Sequence, residues 1–259
     1  MKIMIFILKI SLILVFLENC QSRQTSSSTA LPTKDIGQDS LKIKPGTEDY
    51  GSQKKKVETL RVALKNAFAR QEIPLDSVRN AFTEALTDEI FPYWYGTNWS
   101  FDGHADSPRS GEIACGYFVS TTLLDVGLRI NRYKLAQQWP EDEARMLSLG
   151  GVVRHFFREP DDSSGIIFEK NLKNGLYFAG LGTGHVGFLL KKGSKMWFIH
   201  SNYTSPQVVI AQPIPAAVFI HFDEYYIADL TNNDRLLNYW LNGTNIPLST
   251  EGKSLIEIR

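Results

Sequence analysis

The chain has 259 residues, 43% hydrophobic, 12% aromatic and 22% charged, and its 28 Lys and Arg are matched by 28 Asp and Glu, for a formal net charge of +0. Charges of both signs interspersed along the chain exclude the basic stripe of a nucleic-acid binder, so no nucleic-acid partner is expected. Beyond the N-terminal region roughly two hundred residues remain, enough for one sizeable core and too few for two ordinary enzyme domains.

The first twenty residues carry Lys2, an apolar run from Ile3 to Leu17 broken only by Lys9 and Ser11, and then Glu18-Asn19-Cys20. This reads as a secretory signal over residues 1–20, too short and interrupted for a convincing membrane-spanning helix. Two processing sites are open: before Cys20, with Leu17 at the third position upstream and the thiol then acylated, or after Ser28-Thr29-Ala30. The position of Cys20 favours lipidation, which gives an exported, membrane-anchored lipoprotein of the cell envelope whose membrane partner is met through an N-terminal lipid. Residues 21–55 are rich in Ser, Thr, Gln, Lys and Gly, and are expected to be a flexible tether leading to a domain over 56–259.

In the domain, Val57, Leu60, Ala63, Leu64, Ala67 and Phe68 fall on one helical face, and after Pro74 a second stripe runs through Leu75, Val78, Phe82, Leu86 and Ile90. From Phe91 to Gly111 the period dissolves into a loop holding Tyr93, Trp94, Tyr95, Trp99 and Phe101, suited to lining a cleft. Ala114-Cys115-Gly116-Tyr117-Phe118 then passes into an amphipathic helix with a thiol in its first turn. Unpaired N–H groups and the helix dipole there are expected to favour the thiolate. With Cys20 acylated, Cys115 is the only other cysteine, so it is either a small buried residue or a reactive group.

Helices follow near Tyr133 to Gln138 and Pro140 to Leu149, the second with acidic residues in its first turn and a Gly150-Gly151 stop. The texture then turns to short β-rich runs: Gly175 to Ala179, His185 to Lys191, Lys195 to His200, Gln207 to Ile210 and part of Val218 to Asp229. A closing helix is expected from Asp234 to Leu241. The fold class is therefore α+β, with N-terminal helices and a thiol-bearing helix packed on an antiparallel sheet. Alternation along the strand places His185 with Gly187 and Leu189, and Val186, Phe188 and Leu190 on the opposite face. The Lys191 to Ser194 turn pairs this strand with the next, bringing His185 and His200 side by side.

A cysteine on a helix, then Gly184-His185-Val186-Gly187-Phe188, then Phe198-Ile199-His200-Ser201, resembles the NlpC/P60 cell-wall peptidases of the papain-like cysteine hydrolase superfamily, with Gly96-Thr97-Asn98-Trp99-Ser100-Phe101-Asp102-Gly103 as a weaker upstream echo. The resemblance covers residues 90–210 and implies Cys115 as nucleophile, His185 as base and His200 as the group orienting it, with Asn202 and Ser201 as alternatives for that last role. Trp99 stands where the family has a tyrosine, so Tyr95 or Tyr117 is left to supply a hydroxyl, and the three are the expected substrate-binding residues. The long interval from Cys115 to His185 implies an additional helical insertion at 133–170. The implied substrate is a peptidoglycan peptide or amide bond, with an N-acetylmuramoyl-L-alanine amidase, an acyltransferase and a non-catalytic surface lipoprotein as the rival functions. No cofactor is expected. His104 between Asp102 and Asp106 suggests a metal ligand set, but nothing downstream completes it, so no metal site is expected.

Overall fold

In the computed structural model, residues 41–158, 165–215, 218–249 and 254–258 are described; the signal segment, Cys20 and most of the expected tether lie outside them. Helix α1, Tyr50–Ala69, begins where Asp49 accepts hydrogen bonds from the Ser52 N–H at 3.0 Å and the Ser52 hydroxyl at 2.6 Å. Ordered structure therefore starts before residue 56. Gln53 donates to Glu89 at 2.5 Å and Tyr50 to Asp125 at 2.6 Å, so polar residues that look like a solvated linker are used as long-range hydrogen-bond partners. Arg61, in the middle of the buried stripe, donates to the main-chain oxygens of Trp240 at 2.9 Å and Leu241 at 2.7 Å.

Helix α2, Leu75–Glu84, continues through a π-helical stretch, Ala85–Ile90, into the short α3, Phe91–Trp94. The wider turn carries the buried stripe of Val78, Phe82 and Leu86 on to Ile90, Phe91 and Trp94, which are also fully buried. Thus the aromatic segment is helical at its start, and the loop proper begins at Tyr95. Helices α4, Cys115–Asp125, α5, Arg132–Ala136, and α6, Pro140–Ser148, follow.

The sheet has seven strands: β1 Val152–Phe157, β2 Gly175–Leu181, β3 His185–Lys192, β4 Lys195–Ser201, β5 Val209–Pro213, β6 Glu224–Asp229 and β7 Ser254–Ile258. Their spatial order is β5-β4-β3-β2-β6-β1-β7, antiparallel except where β7 runs parallel to β1. Helix α7, Ile166–Asn171, lies between β1 and β2 in sequence, and α8, Asp234–Asn242, closes at Gly243 in the left-handed conformation. The segment expected to be a helical insertion holds β1, which pairs with β6 on one side and β7 on the other. Val-Val-Arg-His-Phe-Phe buries Val153 and His155 on one face and Phe156 on the other, and so lacks a simple apolar-polar alternation.

Both faces of the sheet are covered. Phe188 of β3 meets Phe91 at 4.8 Å and Phe118 of α4 at 5.9 Å between ring centroids, so the helical layer lies on the Val186, Phe188 and Leu190 face. Tyr177, Ala179, Leu181, Leu189, Phe198, Tyr225 and Ile227 point the other way and pack with Phe168 of α7 and Phe219. Two apolar layers on one sheet provide most of the driving force for this fold.

Arg61 ties α1 to the end of α8 through the Leu241 oxygen and the Trp240 oxygen, the latter also accepting from the Gly243 N–H at 3.2 Å. Arg61→Met is expected to retain the fold and lower its stability by about 1–3 kcal/mol, measured by urea unfolding, because the Leu241 oxygen loses its side-chain donor and the Trp240 oxygen keeps only the Gly243 N–H.

Candidate active site

The β2–β3 turn, with Gly182 at φ 51°, delivers His185 as the first residue of β3. Pairing of Phe188 with Ile199 sets the register that continues to Gly187 opposite His200. On the face carrying Leu189 and Phe198, the His185 Nε2 and His200 Nδ1 atoms are 2.7 Å apart and the rings stand nearly perpendicular, at 83°. Gly187 separates them for a steric reason. A Cβ there would lie 2.6 Å from the Phe198 ring, 2.8 Å from the His200 Cβ and 2.8 Å from the Ile199 oxygen.

Hydrogen-bond partners assign the protons. Gln212 Oε1 accepts from the Val218 N–H at 3.4 Å, which identifies it as the oxygen of the amide, and it lies 3.0 Å from His200 Nε2. An amide oxygen only accepts, so His200 carries its proton on Nε2. In a neutral ring Nδ1 is then an acceptor, and His185 must donate to it from Nε2. His185 Nδ1 is left with a free lone pair, the form a general base requires. Both rings are neutral: burial holds His185 well below the ordinary imidazole range, with the neighbouring His200 adding to it, and burial brings His200 to about 4 against the Gln212 hydrogen bond.

Cys115 opens α4 after Ala114 in an extended conformation. Gly116 follows because a Cβ there would sit 2.5 Å from the Ala136 oxygen, so the end of α5 presses on the first turn of the thiol helix. The residue is half-buried, and the Val186 N–H, one residue along from His185, is near enough to favour its thiolate. The thiol's proton affinity is raised, contrary to the expectation from the helix terminus. Desolvation outweighs the N–H groups of Val186, Gly116 and Cys115 itself, and Glu143 adds to the rise. The histidines meet through a hydrogen bond on the Leu189 and Phe198 face, the body of α4 packs on the opposite, Phe188 face, and among the described residues no hydrogen bond joins the thiol to His185.

Other expected site residues are placed differently from one another. Trp99 is half-buried, with its ring 6.3 Å from Tyr203, whose own ring stands edge-on to His185 at 5.0 Å. Tyr203 and Gln212 therefore belong to the site, though neither carries a sequence signal beyond lying on or next to the strands. Tyr95 does not face a cleft: its ring is buried, its hydroxyl is enclosed without a partner, and it is a packing residue whose carbonyl accepts from Arg109. Tyr117 is half-buried beside Tyr133, with the Arg132 guanidinium 5.1 Å over its ring and its hydroxyl accepting from Gln137 at 3.4 Å. Ser201 donates to the Ile113 oxygen at 2.6 Å and Asn202 braces the loop at Thr204 and Pro206, so neither orients His185. His104 is exposed, and its Nδ1 lies 2.9 Å from the Asp102 oxygen.

Burial of His200 has a consequence for stability. An unfolded chain takes up this proton near 6.5 and the folded one only near 4, so the share of stability held by neutral His200 is complete above the first value and is lost as pH falls toward the second. Urea unfolding of wild type and His200→Gln over that window should show the wild type losing more stability; parallel curves would contradict the assignment. Gly187→Ala should separate the histidines, costing about 1–3 kcal/mol in the same assay through the overlaps at Phe198 and His200.

Comparison of the chain with protein-family models, with curated proteins and with solved structures finds no match to any of the three.

Proposed function

We propose that this protein is an exported cysteine hydrolase of the papain-like NlpC/P60 type that cleaves an amide bond in peptidoglycan peptides, held at the cell envelope by a lipid on Cys20. The observation that carries the reading is the proton assignment: Gln212 and His200 leave His185 with a bare Nδ1, next in sequence to Val186, whose N–H favours the Cys115 thiolate. His185 Nδ1 takes the thiol proton as the sulfur bonds to the carbonyl carbon, and negative charge moves to the carbonyl oxygen, where the Cys115 N–H is placed to receive it. The same proton passes to the departing amine nitrogen, the C–N bond breaks, and an acyl-enzyme remains. Water, deprotonated by His185, releases the acid and returns the thiol. Contacts of this type commonly shorten only when substrate is bound, which accommodates the lack of a resting thiol–imidazole hydrogen bond.

A second reading, a non-catalytic surface lipoprotein that binds wall peptide, draws support from the raised proton affinity of Cys115. Digestion of purified muropeptides followed by mass spectrometry separates the two. Fragment masses also distinguish a cut within the peptide from release of the whole peptide from muramic acid. Under the catalytic reading Cys115→Ala and His185→Ala yield no fragments. Gln212→Leu, which frees the His200 tautomer, lowers kcat by on the order of a hundredfold with KM little changed. Wild-type levels of product from Cys115→Ala would rule out the thiol mechanism.

A further inference from the structure

The main chain leading into the nucleophile is held at three points. The Ile113 N–H donates to the Asn98 oxygen at 2.9 Å, the Ala114 N–H donates to the Gly103 oxygen at 2.8 Å, and the Ile113 oxygen accepts from the Ser201 hydroxyl at 2.6 Å. The first two are main-chain bonds to the 96–103 segment, and they depend on no particular side chain. The third is made by a side chain and runs to β4. Ser201 and Ile113 are both fully buried, so water does not compete for their bond.

Ser201 follows His200 directly, and consecutive strand residues face opposite sides of a sheet. The His200 ring stacks on Phe198 at 4.3 Å on the α7 side, which leaves the Ser201 hydroxyl on the side where α4 lies. Two neighbouring residues of β4 thus hold the two halves of the machinery. His200 accepts the hydrogen bond from His185, and Ser201 grips the residue two before Cys115. Because α4 packs on one face and the imidazoles lie on the other, thiol and base must meet around the start of β3 under the proposed mechanism. Their separation there depends on where the 113–115 segment sits relative to β4. Gly103 leaves that segment no slack on its other side, since a Cβ there would lie 2.6 Å from the Ile113 nitrogen.

We infer that Ser201 is a positioning residue: its hydroxyl keeps the Cys115 sulfur within reach of His185 by fastening the 113–115 segment to the strand that carries His200. It acts through the main chain and not on the reacting atoms. This role presupposes that Cys115 is the nucleophile and His185 its base, as proposed above. Misplacing held groups by on the order of 1 Å costs up to about a hundredfold in rate. Loss of an anchor two residues from the sulfur therefore bears on turnover more than on substrate binding.

The test is a double-mutant cycle on acylation of Cys115 by p-nitrophenyl acetate, followed as the acetyl mass gained by the peptide containing Cys115. Ser201→Ala should slow acylation about tenfold when His185 is present and leave it unchanged in the His185→Ala background, because a thiol without its base has no partner to be held against. On muropeptides Ser201→Ala should lower kcat by a similar factor with KM little changed. Equal slowing in both backgrounds, or no slowing in either, would overturn this role, since a merely structural contribution moves both alike. Should Ser201→Ala fail to fold, Ser201→Cys, close in volume and a weaker donor, takes its place in the same cycle with the same outcomes. Failure of the underlying reading looks different: His185→Ala alone would then leave acylation at the wild-type rate.

Discussion

An oxygen that can only accept determines the chemistry of this site. Gln212 Oε1, identified by the Val218 N–H, places the His200 proton on Nε2, and that proton leaves Nδ1 to accept from His185. Two hydrogen bonds therefore determine the tautomer of a third group, the imidazole whose remaining nitrogen is bare. A carboxylate at position 212 would also accept, but it would bring a charge into a pocket where both histidines are neutral. An amide gives the same direction without that charge.

The framework around this relay depends on close approach. At Gly187 the β4 side chains cross β3, at Gly180 the start of α6 meets β2, and at Gly116 the end of α5 meets the thiol helix; a Cβ at any of these would fall within 2.8 Å of a neighbouring atom. None of the three has the left-handed backbone that ordinarily calls for glycine, so each is there for space. Together they fix the spacing of β4 against β3, of α6 against β2 and of α5 against α4.

Much of this was legible in the sequence wherever periodicity and turns agree. The stripe from Val78 to Ile90, the β3–β4 hairpin and the face shared by His185, Gly187 and Leu189 follow from spacing, because each is a local pattern with one covered side. Strand β1 was not legible, since its buried residues fall on both faces and its flanking strands come from distant parts of the chain. The start of α1 was hidden because Gln53 and Lys54 look solvated while bonding to Glu89 and Asp125. Gln212 escaped notice because its role depends on which side-chain atoms the pairing of β4 with β5 brings together. The thiol's proton affinity was misjudged because a sequence displays a helix terminus but not the desolvation that opposes it.

Burial disfavours charge on the titrating groups of the site: it raises the thiol and lowers both histidines. The burial that neutralises them also resists a thiolate–imidazolium pair in the free protein, since opposite charges separated in a pocket of this kind recover little of what desolvation takes away. Under the proposed mechanism, charge must then appear together with its compensation. The imidazolium forms as the carbonyl oxygen becomes negative, with sulfur passing from thiol to thioester bond without standing as a free anion. Such a site gains reactivity from the substrate's own carbonyl and has little toward solutes that cannot accept that charge.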